Sequence, residues 1–272
     1  MLGKLLKHEF IATKRIYLPI YFVTIVLALI VNGFYTLQSR FFDEESSLSV
    51  ISRIFIVFFI VIFILVLLCC MISGTVISLY RFYKNVFTDE GYLTNTLPVK
   101  PINILLSKLI TGIVWSIAGV VVFILSIFLS DFDLWKEISK NINISVVTDF
   151  LSDNVLFIAA LAVFSLISLI LTLSMAYMAV AIGNFANNHK AALSILVYFG
   201  STIFFEIIAS VSLAITSQKW DDRLTVFADH STFTISHTYS VVLFIYAGIL
   251  LVVSALELLF THFIMSRKLN LS

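Results

Sequence analysis

Two carboxyl groups, Glu206 and Glu257, stand inside long apolar stretches of this chain. A charge at the centre of a membrane helix costs about 2.5–3.5 kcal/mol on insertion scales, so an ionisable residue there is by default a candidate for binding, gating or proton transfer. Glu206 comes fifteen residues after Ala191, where its stretch begins, about 22 Å along a helix rising 1.5 Å per residue. It follows Gly200 and Ser201, a pair that permits a bend. Two readings of Glu206 stand: a residue on a substrate path or gate, and a structural carboxyl that reaches out to headgroups or bonds to a neighbouring helix. Glu257 is followed by Thr261, His262, Arg267 and Lys268, which points to anchoring at an interface. Ser165, Ser168 and Thr172 continue into Ala176, Ala179 and Gly183 along one helical face. Small residues let helices approach closely in lipid and hydroxyls can bond across the contact, so this stripe is a packing seam or a hydrophilic path. Ser73, Gly74, Thr75 and Ser78 read similarly.

Other reactive residue types assemble into nothing. Cys69 and Cys70 are adjacent in an apolar run, which excludes a disulfide framework and gives no metal site by themselves. Asp221, Asp222, Asp229, His230 and His237 form a loose polar cluster whose spacing matches no metal pattern; a solvated loop explains it. No catalytic and no metal-ligating residue is assigned.

These residues sit in a chain of 272 residues that is 60% hydrophobic and 12% charged. A soluble domain carries about 25% charged residues, so the apolar excess here must face lipid. Crossing about 30 Å of hydrocarbon takes about 20 apolar residues. Six stretches qualify: Tyr17–Leu37, Ile54–Tyr80, Leu109–Leu129, Val155–Ile182, Ala191–Thr216 and Tyr239–Ile264. They are apolar on every face, unlike the alternating strands of a barrel, and in lipid a helix satisfies its own backbone. The first is too long for a signal-peptide core and lacks a cleavage site after it. The fold class expected is an all-α membrane protein with six transmembrane helices, in one domain over residues 1–272. A net charge of +1 gives no electrostatic case for nucleic acid.

Cations set the orientation. Lys4, Lys7, Lys14, Arg15, Arg81, Lys84, Lys100, Lys108, Lys190, Arg267 and Lys268 flank one side, against Arg40, Arg53, Lys136, Lys140, Lys219 and Arg223 on the other. Both termini and the 81–108 connection are therefore expected in the cytoplasm, with the connections near 38–53, 130–154 and 217–238 outside. In residues 1–16, Leu2, Leu5, Leu6 and Phe10 recur at helical spacing between lysines. That pattern predicts an amphipathic helix lying in the inner interface, against anionic lipid headgroups.

The segment 81–108, RFYKNVFTDEGYLTNTLPVKPINILLSK, is the longest polar interruption on the cytoplasmic side. Thr88, Asp89 and Glu90 resemble a capped helix start. Leu97 ends a segment because Pro98 follows it, and Pro101 can open the next helix. Phe82, Tyr83, Phe87, Tyr92 and Leu93 are expected to form an exposed contact patch for a soluble partner.

The chain resembles the ABC-2 type permease subunits of bacterial ATP-binding cassette transporters. The resemblance rests on LLKHEFIATKRIYLPIY at the start, the 81–108 segment in the middle and RKLNL at the end, and on the number and order of spans. It implies a membrane subunit of an exporter of amphipathic peptides, lipids or toxic compounds, in the bacterial cytoplasmic membrane. The implied partners are ABC ATPase subunits and a second permease, identical or related. A coupling helix between spans two and three would dock on the ATPase through Asp89, Glu90, Gly91 and Tyr92, with Leu97 and Pro98 setting the path. Residues 217–238 would be an outer loop or a re-entrant hairpin. The chain holds no G-x-x-x-x-G-K-[ST] phosphate loop, so no cofactor is expected on it; ATP and Mg would bind the partner ATPase. An ion-coupled secondary carrier is the alternative, which calls for polar groups at the membrane midplane. An intramembrane enzyme requires convergent acids, bases or metal ligands, which the spans do not supply.

Overall fold

The computed structural model describes residues 2–41, 47–88, 91, 99–141, 144–186, 189–220 and 237–267. Eight helices lie among them: α1 (Leu2–Phe41), α2 (Ser47–Phe87), α3 (Pro101–Ser130), α4 (Phe132–Asn141), α5 (Ile144–Asp153), α6 (Val155–Gly183), α7 (Lys190–Trp220) and α8 (His237–Arg267). The described residues contain no strand. Six of the helices, α1, α2, α3, α6, α7 and α8, are long and apolar enough to cross a membrane, so the chain is built as a multi-pass membrane protein. Each of the six expected spans falls inside one of these helices. The connection near 130–154 contains the ten-residue helices α4 and α5.

The chain divides into two compact units, Met1–Ser78 with Leu106–Ile142, and Leu79–Leu105 with Asn143–Ser272. The first is built on one stripe of α1: Thr13, Tyr17, Tyr21, Thr24, Ala28 and Val31 are all buried. Their three- and four-residue spacing is one helical face. Ala28 and Val31 pack with Phe63 and Leu67 of α2 and with Phe123 and Leu129 of α3. Tyr17 and Tyr21 pack with Cys70 of α2 and with Trp115 and Val122 of α3. Close approach is purchased with glycine at Gly74, where an added Cβ would run into the Ser116 side chain.

The buried stripe explains a departure from expectation. The N-terminal segment is helical with its lysines exposed, but it does not end at residue 16. It continues into the span as one helix of 40 residues with Pro19 inside, about 60 Å long. The face that begins at Thr13 is the face that reaches Val31, so a break near residue 16 would turn it away from α2 and α3.

In the second unit, α6 packs along α8 and, less extensively, against α7. The buried side of α8 places Ser240, Ala247, Ser254 and Thr261 at every seventh position, with Glu257 and Ile264 three residues after two of them. That heptad of small residues suits close, nearly parallel packing of helices in lipid. It meets the buried run of α6 from Leu173 to Ala181. At the α6–α7 turn, a Cβ on Gly183 would lie 2.8 Å from the Lys190 carbonyl oxygen, so the glycine permits the approach.

Candidate functional site in the membrane helices

Each unit holds one group of polar side chains within or at the end of its long helices. In the first unit, Lys108 of α3 and Glu9 of α1 form an ion pair with Nζ and Oε1 2.7 Å apart. The Lys108 side chain is 3% exposed and that of Glu9 15%. One turn on, Trp115 Nε1 donates to Thr13 Oγ1 over 2.8 Å, and Thr13 Oγ1 in turn donates to the Glu9 carbonyl over 2.7 Å. Tyr17 stacks on Trp115 with centroids 4.7 Å apart and donates its hydroxyl to the Gly74 carbonyl over 3.1 Å. Tyr21 donates to the Trp115 carbonyl over 2.6 Å. The network thus ties the start of α1 to α3 by charge-assisted and aromatic contacts. Its members hold one another, and the geometry is that of a fixed junction between helices. Sequence reasoning counted Lys108 and Glu9 only as flanking charges; their pairing across 99 positions has no local signal.

In the second unit, Glu257 of α8 is buried. Ser174 Oγ of α6 lies 2.5 Å from Glu257 Oε2 and also 2.9 Å from the Leu171 carbonyl oxygen of its own helix. Glu257 Oε1 is buried with no hydrogen-bond partner among the described residues. Glu257 comes seven residues before Ile264, where its expected span ends, about 10 Å along the helix. Its carboxyl turns toward Ser174 of α6 and not outward, as anchoring at an interface would have it. Burial against α6 holds the carboxyl away from the α8 terminus, because its side lies on the heptad stripe. Ser174 was missed altogether. The seven-residue recurrence of small residues in α8 was the sequence signal that could have marked Glu257 as inward-facing.

The other expected site residues are placed as follows. Glu206 lies on an exposed face of α7 among exposed Ile203, Phe204, Ile207 and Ile208. Ser165 is exposed, and Ser168 and Thr172 are half-buried. Their hydroxyls donate within α6, to the carbonyls of Ala162, Phe164 and Ser168 respectively. The i−3 and i−4 carbonyls are near and always present, so these hydroxyls are satisfied within their own helix. Further along the stripe, Ala176, Ala179 and Gly183 are buried.

In the 81–108 segment, Arg81–Phe87 is the last part of α2, and Pro101 opens α3. Phe82 is fully buried, 4.4 Å from the Tyr177 ring and 5.7 Å from Phe87, centroid to centroid. It is a core residue and not part of an exposed aromatic patch, because Phe82 and Val86 fall one turn apart on the inner face of α2. Thr88 follows the last residue of α2 and donates its hydroxyl to the Lys84 carbonyl over 2.5 Å. Gly91 is buried and its N–H donates to the Thr88 carbonyl over 2.7 Å. Gly91 is helical, and a Cβ there would collide with the Val86 carbonyl, so this close approach to the end of α2 requires glycine. Asp89, Glu90, Tyr92, Leu97 and Pro98 lie outside the described residues, as do Asp221, Asp222, Asp229 and His230. Among the described residues no three His, Cys, Asp or Glu side chains converge to hold a metal ion.

Comparison of the chain with protein-family models, curated proteins and solved structures finds no match.

Proposed function

We propose that this protein is the membrane subunit of an ATP-driven transporter of the ABC-2 permease type, an exporter of amphipathic peptides, lipids or toxic compounds. Its partners are a separate ATPase and a second permease copy or relative. One observation carries the reading. The polar connection around Gly91 joins helices of 41 and 30 residues, α2 and α3, that run from it into the apolar spans without a break. A push on such a connection moves two rigid rods, which is how work done on a soluble partner reaches the membrane. Docking on the ATPase is assigned to Asp89, Glu90, Gly91 and Tyr92, with Leu97 and Pro98, as the resemblance implies. The many exposed lysines and half-buried leucines of the first turns of α1 support a place at the same cytoplasmic interface.

The test is a charge reversal. Asp89→Lys with Glu90→Lys is expected to leave insertion and monodispersity in detergent unchanged, because both positions belong to the connection outside the spans. It reduces co-purification of the ATPase and uncouples ATP hydrolysis from transport. Normal ATPase association with normal transport in this double variant removes the docking assignment. The buried carboxyl of Glu257 within a membrane helix favours a second reading, an ion-coupled carrier. Transport that persists without ATP and follows an imposed ion gradient selects it.

A further inference from the structure

The proton count at Ser174 assigns a state to Glu257. A serine hydroxyl has one hydrogen to donate. Here its oxygen has two oxygen neighbours at bonding distance, the Leu171 carbonyl at 2.9 Å and Glu257 Oε2 at 2.5 Å. A carbonyl has no hydrogen to give, and neither has an ionised carboxylate. If Glu257 were ionised, one of the two contacts would place lone pair against lone pair, or one hydrogen would be split between two acceptors in bent, weak bonds. A proton on Glu257 Oε2 satisfies both. The acid donates to Ser174 Oγ, and Ser174 donates to the Leu171 carbonyl. The separation of 2.5 Å lies in the short range of O–H···O bonds.

The surroundings agree. Burial of a lone carboxylate costs several kcal/mol unless a cation and further donors compensate it. Helix α6 has no Lys, Arg or His to offer. Among the described residues the other ionisable groups on the elements packed here are Tyr177 on α6, Tyr80, Arg81, Tyr83 and Lys84 at the end of α2, Lys190, Tyr198, Glu206 and Lys219 on α7, and His237, Tyr239, Tyr246, His262 and Arg267 on α8. None of them bonds to Glu257, whose Oε1 is buried with no partner among the described residues.

We propose that Glu257 and Ser174 form a proton-binding site within the membrane helices, occupied at neutral pH, with the bound proton joining α8 to α6. The site stands whether the protein is driven by an ATPase or by an ion gradient. Loss of the proton leaves one hydrogen for two contacts and so loosens the α6–α8 seam at this level.

Infrared spectroscopy of the full chain in a detergent without ester carbonyls, an alkyl maltoside, at neutral pH tests it. A neutral carboxylic acid gives a C=O stretch on the high-frequency side of the amide band, where ionised carboxylates do not absorb. The expected result is such a band in the wild type, its loss in Glu257→Gln and its retention in Glu206→Gln, the control for the other carboxyl placed in a span. Ser174→Ala removes the acceptor, and the band moves to higher frequency. Absence of the band in the wild type overturns the assignment, as does a band that survives Glu257→Gln. Should Glu257→Gln not fold, an unmoved band in Ser174→Ala overturns it equally.

Discussion

Replacing Lys108 by methionine keeps most of the side-chain volume and removes only the charge facing Glu9. The pair sits at 2.7 Å with side-chain exposures of 3% and 15%. At an effective dielectric of 20 the attraction between unit charges at that distance is about 6 kcal/mol. This is a gross figure, because taking each ion from water costs several kcal/mol. The intact pair therefore contributes little net stability, yet removing one partner takes away much of what compensates the desolvation of the other. Truncating one member of a fully buried pair costs about 3–5 kcal/mol, and the remaining exposure of Glu9 places Lys108→Met at the lower end, about 3 kcal/mol. Adding Glu9→Gln removes the charge that faced Lys108 and is expected to recover about 2 kcal/mol, a coupling of the size contacting residues show. The assay is denaturant titration in mixed micelles, followed by Trp115 fluorescence in a Trp135→Phe, Trp220→Phe background. Trp115 is bonded to Thr13 over 2.8 Å and reports the same junction. An unchanged midpoint in Lys108→Met, or a double variant no more stable than the single one, refutes the reasoning.

Two further outcomes follow from the packing. Phe82→Ala is expected to cost about 3–5 kcal/mol, as for other buried phenylalanines, and so to lower the unfolding midpoint; an unaltered midpoint would return Phe82 to an exposed patch. Gly183→Val places a branched side chain against the Lys190 carbonyl and Ser194, already close to a single Cβ, and is expected to cost about 1–3 kcal/mol as overpacking does, read as a lowered midpoint beside wild-type behaviour for Gly248→Val, where a Cβ meets nothing within 4 Å.

The sequence by itself determined the class of molecule and the location of its long helices. Sixty per cent hydrophobic residues leave no water-compatible surface for a globule of this size, and an apolar run satisfies its backbone in lipid only as a helix. Pro101 marked the start of α3 for a similarly local reason. What only the tertiary structure decided is which polar groups face one another. Glu206 and Glu257 both lie in apolar helices, yet one is exposed on α7 and the other buried beside Ser174. In lipid the apolar pattern no longer separates the inner from the outer face of a helix, because hydrocarbon covers an outer leucine as well as a neighbouring helix does. The partner of a span carboxyl is thus set by which helices meet and at what register. Glu9 and Lys108 are 99 positions apart, and Ser174 and Glu257 are 83; a periodicity such as the heptad of α8 can mark a face as inward, but it does not name the partner at such a distance.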